Sequence, residues 1–504
     1  MNTPSLAIVG LTICLTSGSY GLRSRAIAAE VTEPIQIDSR RELFVDGFLI
    51  DRLEGAELKM QQPVEREIAI VHDEPWEGNT STYHTVFRDG DIYRMYYRGG
   101  HFDDATGKLS PNEYYCYAES PDGIHWTKPK LGLIEFRGSK ENNIILAGLG
   151  SHNLAPFKDE NPNCTPDAKY KAIGGGKGGL IAFKSADAIR WSPVSEKPVI
   201  TEGAFDSLNI AFWDEHRDRY VGFHRDFRDG VRDIKTCTSS DFANWSDPEW
   251  IEYTGAPPQH LYTNAIVNCP RAPHIYIGLP MRLVPGRNPQ KHATTGVSDC
   301  VLMTSRDGQL FHRWNEAFIR PGSQPGRWVS RNNLAAWGIV TTGSDVPEAP
   351  DELSLYVTEG YYRGPGTRLR RYTLRLDGFV SVNAPAEGGE IVTKSLVFSG
   401  DDAELLINFA TSAAGSLRCE IQDENGNPLP GFSLAECVEM YGDEIEQPVA
   451  WTGDRKASML AGTPIRLRFV MQDADLYAIE FGRGEKSSST ASSAGSSRAV
   501  ASSR

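Results

Sequence analysis

Ser120-Pro121-Asp122-Gly123-Ile124-His125-Trp126 is the stretch on which the reading of this chain turns. It has the chemistry of a hairpin turn. An Asp can accept bonds from nearby backbone amides, and a Gly takes positive φ without a steric cost. The Trp that follows is placed to cover the hairpin and pack between neighbouring sheets. The motif recurs as Ser185-Ala186-Asp187-Ala188-Ile189-Arg190-Trp191, and then as Ser240-Asp241-Phe242-Ala243-Asn244-Trp245, read as shorter by one. Ser305-Arg306-Asp307-Gly308 is the fourth, with its aromatic delayed to Phe311 or Trp314. The four serines stand 65, 55 and 65 residues apart.

Each copy follows a strand-like run: Tyr114 to Ala118, Leu180 to Lys184, Asp233 to Thr238, and Asp299 to Thr304. Two further runs precede most copies, as in Tyr83 to Arg88, the turn Asp89-Gly90, and Ile92 to Arg98. A fifth unit lacks the motif but keeps the strands Leu334 to Thr341, Leu353 to Thr358 and Arg368 to Leu376. Long helical periodicity is absent. Repeats of 50 to 65 residues built from antiparallel strands predict an all-β fold, a five-bladed β-propeller over residues 40–380. From Gly388 the pattern changes. The runs Ser395 to Phe398, Ala403 to Phe409, Gly415 to Asp423 and Thr463 to Val470 predict a C-terminal β-sandwich accessory domain over residues 385–483.

The ends and the composition bound the setting. The apolar run Leu6 to Leu15, followed by Ala26-Ile27-Ala28-Ala29, reads as a signal peptide over residues 1–29 and a secreted or periplasmic location. That run is too short for a membrane span. Residues 486–504 are rich in Ser and Ala and read as a disordered tail. A formal net charge of −14 excludes a surface that attracts nucleic acid as a whole, while leaving room for a local basic pocket. The eight cysteines include no C-x-x-C pair, so no zinc site is expected. No cofactor is called for. Propellers have room for a structural calcium ion, but no Asp-rich loop here has the spacing that demands one.

In a propeller the innermost strands aim their leading residues at the central channel. Here those residues are Trp76, Glu77, Asn79, Tyr83 and His84, then His152 and Asn153, then Asp206 and Asn209, then Tyr262 and Asn264, then Arg331, Asn332 and Asn333. The second strands end in Arg98, Arg225 with Asp226, Arg282, and Glu359. Amides and aromatic rings suit sugar hydroxyls and faces, and arginines suit a carboxylate or sulfate. Hydrolysis of a glycosidic bond needs two carboxyl groups. The candidates are Asp206, Glu359, Asp226 and Glu77. Each has a plainer reading: Glu77 as a turn cap, Asp226 as a surface ion pair, His84 and His152 as neutral core histidines.

The entry Pro75-Trp76-Glu77-Gly78-Asn79, the hairpin from Phe87 to Tyr97, the Ser-x-Asp-Gly turns and Arg225-Asp226 together resemble the five-bladed propeller hydrolases of glycoside hydrolase families 32, 43 and 68. The chain looks most like secreted family-32-like proteins of planctomycete-type bacteria. The resemblance implies a two-carboxylate glycosidase with a carbohydrate substrate. It is not complete. Asn79 to Thr82 holds no carboxylate where that family carries its nucleophile, Phe227 stands where a proline would follow Arg225-Asp226, and Glu436-Cys437 lies outside the blades. Two other readings stay open: a non-catalytic carbohydrate-binding propeller, and a uronate polysaccharide lyase using His84 or His152 with Tyr262 and the arginines.

Overall fold

The computed structural model describes residues 33–103, 106–110, 113–453 and 455–483. The segments read above as a signal peptide and as a tail lie outside them. Among the described residues the chain is all β, with three short 3-10 turns and no α-helix.

Four antiparallel sheets have the four-stranded blade form. Sheet 1 comprises Thr82–Asp89, Ile92–Gly99, Tyr114–Ser120 and Ile144–Ala147. Sheet 2 comprises Ala155–Lys158, Tyr170–Gly176, Gly179–Ser185 and Ser192–Pro193, and sheet 3 Ile210–Asp214, Arg219–Arg228, Val231–Ser239 and Glu249–Trp250. Sheet 4, spanning residues 252–319, departs from this form: it has seven strands, because the expected run Leu261 to Val267 breaks into His260–Leu261 and Ile266–Cys269, the next run breaks into Ala272–Gly278 and Met281–Val284, and Glu252–Thr254 adds at the edge beside Leu310–Ile319. The expectation of five regular blades is corrected accordingly to four. Sheet 5 contains Val340–Thr342, Glu352–Glu359 and Arg368–Arg375, and is completed by Val64–Val71 from ahead of sheet 1.

The sheets are arranged as in a propeller, and side-chain amides tie one to the next. Asn153 Nδ2 donates to Ser207 O at 2.6 Å, Asn264 Nδ2 to Phe223 O at 3.1 Å, and Asn333 Nδ2 to Ser298 O at 2.8 Å. The ring closes where Val86 N donates to Trp337 O, and Trp337 N to His84 O, both at 2.8 Å. Each of these buried amide donors meets a backbone carbonyl, as donors away from water must.

The turns behave as their residues require, with one correction. In the first copy Ser120 Oγ accepts from Gly123 N at 2.9 Å and Asp122 Oδ1 accepts from Ile124 N and His125 N at 2.8 Å. Trp126 Nε1 donates back to Gly123 O at 3.1 Å, and its ring meets Tyr356 of sheet 5 edge-on. The third copy begins at Ser239, not Ser240, and is full length. Ser239 Oγ accepts from Phe242 N at 2.9 Å, and Trp245 Nε1 donates to Phe242 O at 3.2 Å. Phe242 occupies the left-handed position that Gly123 and Gly308 fill elsewhere, which hid the register. In the fourth copy Phe311 takes the place of the Trp and packs on Phe223 of sheet 3.

Apart from two two-stranded sheets, Ile35–Gln36 with Leu396–Val397 and Phe102–Asp103 with Lys108–Leu109, the remaining strands form an eight-stranded sheet with its own apolar core. Glu404–Gln422 runs as one strand through the two runs expected at 403–409 and 415–423, pairing with Arg466–Gly482 across an irregularity between Thr411 and Ser416. Residues 42–60, read from sequence with the blades, supply three strands to this sheet instead, because alternating Leu58 and Met60 register against Val380–Ala384. All seven described cysteines are free thiols.

Candidate active site

The leading residues of the inner strands do not all serve one site. The asparagines serve the ring itself. Beyond the clamps above, Asn209 Nδ2 donates to Ser207 O at 2.8 Å, Asn332 Nδ2 to Val329 O at 3.0 Å, and Asn79 Nδ2 to Phe102 O at 3.0 Å. These donors are committed to backbone, so the six amides expected to bind substrate hold the framework that the site stands on.

What does converge is a cluster of phenols and guanidinium groups. Tyr83 Oη donates to Asp206 O at 2.9 Å and stands 3.3 Å from Tyr262 Oη. Arg98, at 4.7 Å over the Tyr83 ring, donates to Tyr361 Oη at 3.1 Å and Thr80 O at 3.0 Å. The guanidinium groups of Arg225 and Arg331 lie 5.1 and 5.3 Å from the Tyr262 ring. Arg331 also donates to Tyr362 Oη. Arg225 pairs with Asp206, and Arg98 with Glu113 at 3.3 Å. Arg331 has no carboxylate partner among the described residues. The cluster opens to solvent where the Asp206 side chain is 71% exposed and that of His152 37%. Phe227, 45% exposed between Arg225 and Arg232, forms an aromatic lip.

The backbone around the cluster is strained. Tyr83, Ala265, Arg331, Asn333 and Tyr362 all have φ between 42° and 66°. Left-handed conformations outside glycine cost of order 1 kcal/mol or more each and gather at functional sites. The phenols are also driven apart. Burial pushes Tyr83 well above its ordinary value. Burial would push Tyr262 up too, but the charge on Arg331, the hydrogen bond with Tyr83 and the charges on Arg225 and Arg98 outweigh it, so this phenol lies below its ordinary value. His152 Nδ1 bonds Glu113 Oε2 at 2.6 Å, making an imidazole–carboxylate pair at the mouth.

No protein-family model matches this chain, and no curated protein does. Among solved structures it is similar to a glycoside hydrolase family 43 arabinoxylan arabinofuranohydrolase from Bacillus subtilis, at 11% identity over 84% of this chain and 99% of that one, with a TM-score of 0.37. It is similar to a family 32 β-fructofuranosidase from Bombyx mori at 11% identity, over 83% and 95% of the two chains, with a TM-score of 0.39. It is also similar to an N-acetylgalactosamine deacetylase from F. plautii at 12% identity, over 82% and 95%, with a TM-score of 0.37. Likeness at this level assigns the chain no activity.

No two of the four candidate carboxylates share an ion-pair or hydrogen-bond partner. Glu359 is fully buried and is held by Arg370 at 2.7 Å, Arg368 at 3.0 Å and Arg327 at 3.4 Å. Glu77 is buried beneath Trp76, accepting from Tyr97 Oη at 2.6 Å, Lys128 Nζ at 2.7 Å and Glu74 N at 3.0 Å, so it does cap a turn. Asp226 pairs with Lys235 at 3.2 Å. Only Asp206 borders the cluster. Arg282 pairs with Asp299 at 2.6 Å. His84 is a buried core histidine whose Nε2 lies 2.8 Å from His72 Nε2, and burial pushes it well below its ordinary value. Trp76 gives its indole N–H to Asn143 at 2.7 Å. Glu113, Tyr361 and Tyr362 were missed in the sequence. Their signal was their position, one residue ahead of Tyr114–Ser120 and two or three after Glu352–Glu359. No group of three or more potential metal ligands occurs among the described residues, and no helix there is long and apolar enough to cross a membrane.

Proposed function

We propose that the chain is an exported enzyme of glycosidase type, with a central site that takes a saccharide bearing a carboxylate or sulfate. The observation that carries this is Arg331, a half-buried cation among Tyr83, Tyr262, Tyr361 and Tyr362 with no carboxylate partner among the described residues. Arg98 and Arg225 stand beside it, each with a buried Nε that lacks a partner. Burying positive charge is costly unless an anion completes it, and a planar guanidinium pairs two-to-two with a carboxylate or sulfate. The aromatic lip at Phe227 adds a surface for a sugar face. On this reading sheet 4 is the fifth blade, residues 385–483 are an accessory β-sandwich, and residues 1–29 direct export, as in the family-32-like proteins that the motifs resemble.

That no two of the four candidate carboxylates share a partner favours a second reading, a carbohydrate-binding propeller without turnover. One assay decides between them. The chain lacking residues 1–29 is incubated with acidic and neutral polysaccharides, and reducing ends and ultraviolet absorbance are followed. New reducing ends from an acidic glycan support the proposal. Absorbing, unsaturated products replace it with a lyase. Binding with neither signal leaves the second reading.

A further inference from the structure

Of the four candidate carboxylates only Asp206 borders the phenol–guanidinium cluster, where it pairs with Arg225. We propose that the Tyr262 phenol is the nucleophile of this site and that His152, held by Glu113, is its proton donor. The inference rests on the anionic-saccharide reading above and goes further, to the reacting atoms.

Three observations carry it. Tyr262 is the phenol on which the charges converge: the guanidinium groups of Arg225, Arg331 and Arg232 lie 5.1, 5.3 and 5.8 Å from its ring. A phenolate is stabilised by such neighbours, and the direction of its ionisation agrees. The second phenol, Tyr83, is 3.3 Å away with Arg98 stacked on its face; its own proton goes to Asp206 O, and burial keeps it from ionising. Finally, the backbone is strained on both sides of the pair, at Tyr83 (φ 56°), Ala265 (φ 42°) and Arg331 (φ 66°). A purely packing tyrosine does not need neighbours held in such conformations.

The step balances without a further reactant. Tyr262 Oη attacks the anomeric carbon of the bound sugar. The bond from that carbon to the glycosidic oxygen breaks, its electron pair stays with the leaving oxygen, and that oxygen takes the proton of the His152 imidazolium. Water then gives a proton back to His152 while its oxygen displaces Tyr262 as phenolate. Two displacements at one carbon retain the anomeric configuration.

The test uses the chain lacking residues 1–29 and 4-methylumbelliferyl uronides, with the matching neutral glycosides as controls. On the uronide that is cleaved, proton NMR of the first-formed sugar should show retention. Tyr262→Phe should lower kcat by about 10³-fold while binding of the corresponding free uronic acid, measured by calorimetry, stays within about threefold. Tyr83→Phe should lower kcat by a smaller factor. Inversion of configuration overturns the proposal on the wild-type protein alone, whatever the variant does. Turnover by Tyr262→Phe within tenfold of wild type also overturns it, as does uronic acid binding without turnover of any uronide. Those outcomes leave the anionic pocket standing. Absence of both binding and turnover removes the pocket reading itself, and the nucleophile with it.

Discussion

Replacing Glu77 by Gln separates a structural carboxylate from a catalytic one. The Glu77 carboxyl is buried and is held by Tyr97, Lys128 and the Glu74 amide, and its pKa falls from 4.5 to about 2. Burial works against that fall. The neighbouring His72 ring, whose Nδ1 lies 3.8 Å from the carboxylate, and the charge on Lys128 outweigh it. A separation of about 2.5 pH units at about 1.4 kcal/mol each gives about 3.5 kcal/mol as a ceiling. Burial drives His72 toward its neutral form, so it gives no full charge, and about 2 kcal/mol is the working figure. The sign follows from the direction: a depressed carboxyl stabilises fully above pH 4.5 and loses that contribution as pH falls toward 2. Glu77→Gln should therefore unfold at lower urea than wild type at pH 7, by about 2 kcal/mol. The gap should narrow steadily below pH 4.5. Urea titrations followed by tryptophan fluorescence at pH 7, 4 and 2.5 measure it. An unchanged midpoint at pH 7, or a gap of the same size at pH 2.5, refutes the reasoning. Because Glu77 lies away from the phenol cluster, the folded variant should keep its saccharide affinity.

Ser239→Ala should cost about 1 kcal/mol and Ser240→Ala less than about 0.5, since Ser239 Oγ, not Ser240, closes the third turn; thermal unfolding of the two variants checks this. Gly338→Ala should cost about 3 kcal/mol, because φ is +122° and a Cβ there overlaps the Val86 carbonyl at the ring closure; a melting temperature within 2 °C of wild type, on the order of the scatter between preparations, would count against the closure. Glu359→Gln should cost about 3 to 5 kcal/mol by leaving Arg327, Arg368 and Arg370 without their shared carboxylate, so any activity it loses should fall in step with the folded fraction measured by circular dichroism.

The fold was legible where chemistry is local. The Ser-x-Asp turns announce themselves because the serine and aspartate act on amides two and three residues away, and each sits at the end of a strand-like run. What was missed depended on partners remote in sequence. Val64–Val71 completes sheet 5 by pairing with Arg368–Arg375, some 300 residues away, and nothing in its own pattern names that edge. Residues 42–60 joined the eight-stranded sheet for the same reason. At the cluster, Arg98, Arg225, Arg331 and Tyr262 had been singled out because they stand at strand ends read as pointing to the channel. The carboxylates could not be ranked from sequence, because what sets Glu359 and Glu77 apart is the cations and phenol that the fold brings to each. Lys128 reaches Glu77 across 51 residues, and Arg327 reaches Glu359 across 32.

The central claim is that the site takes an anion, and calorimetry on matched pairs tests it most directly. Oligogalacturonate and its methyl ester, and a sulfated galactan oligosaccharide and its desulfated form, are titrated into the wild type and into Arg331→Met. The account predicts that one charged member binds at least tenfold tighter than its neutral twin, and that Arg331→Met removes most of that difference. Equal affinity for charged and neutral members of both pairs, or a preference that survives in Arg331→Met, would contradict it.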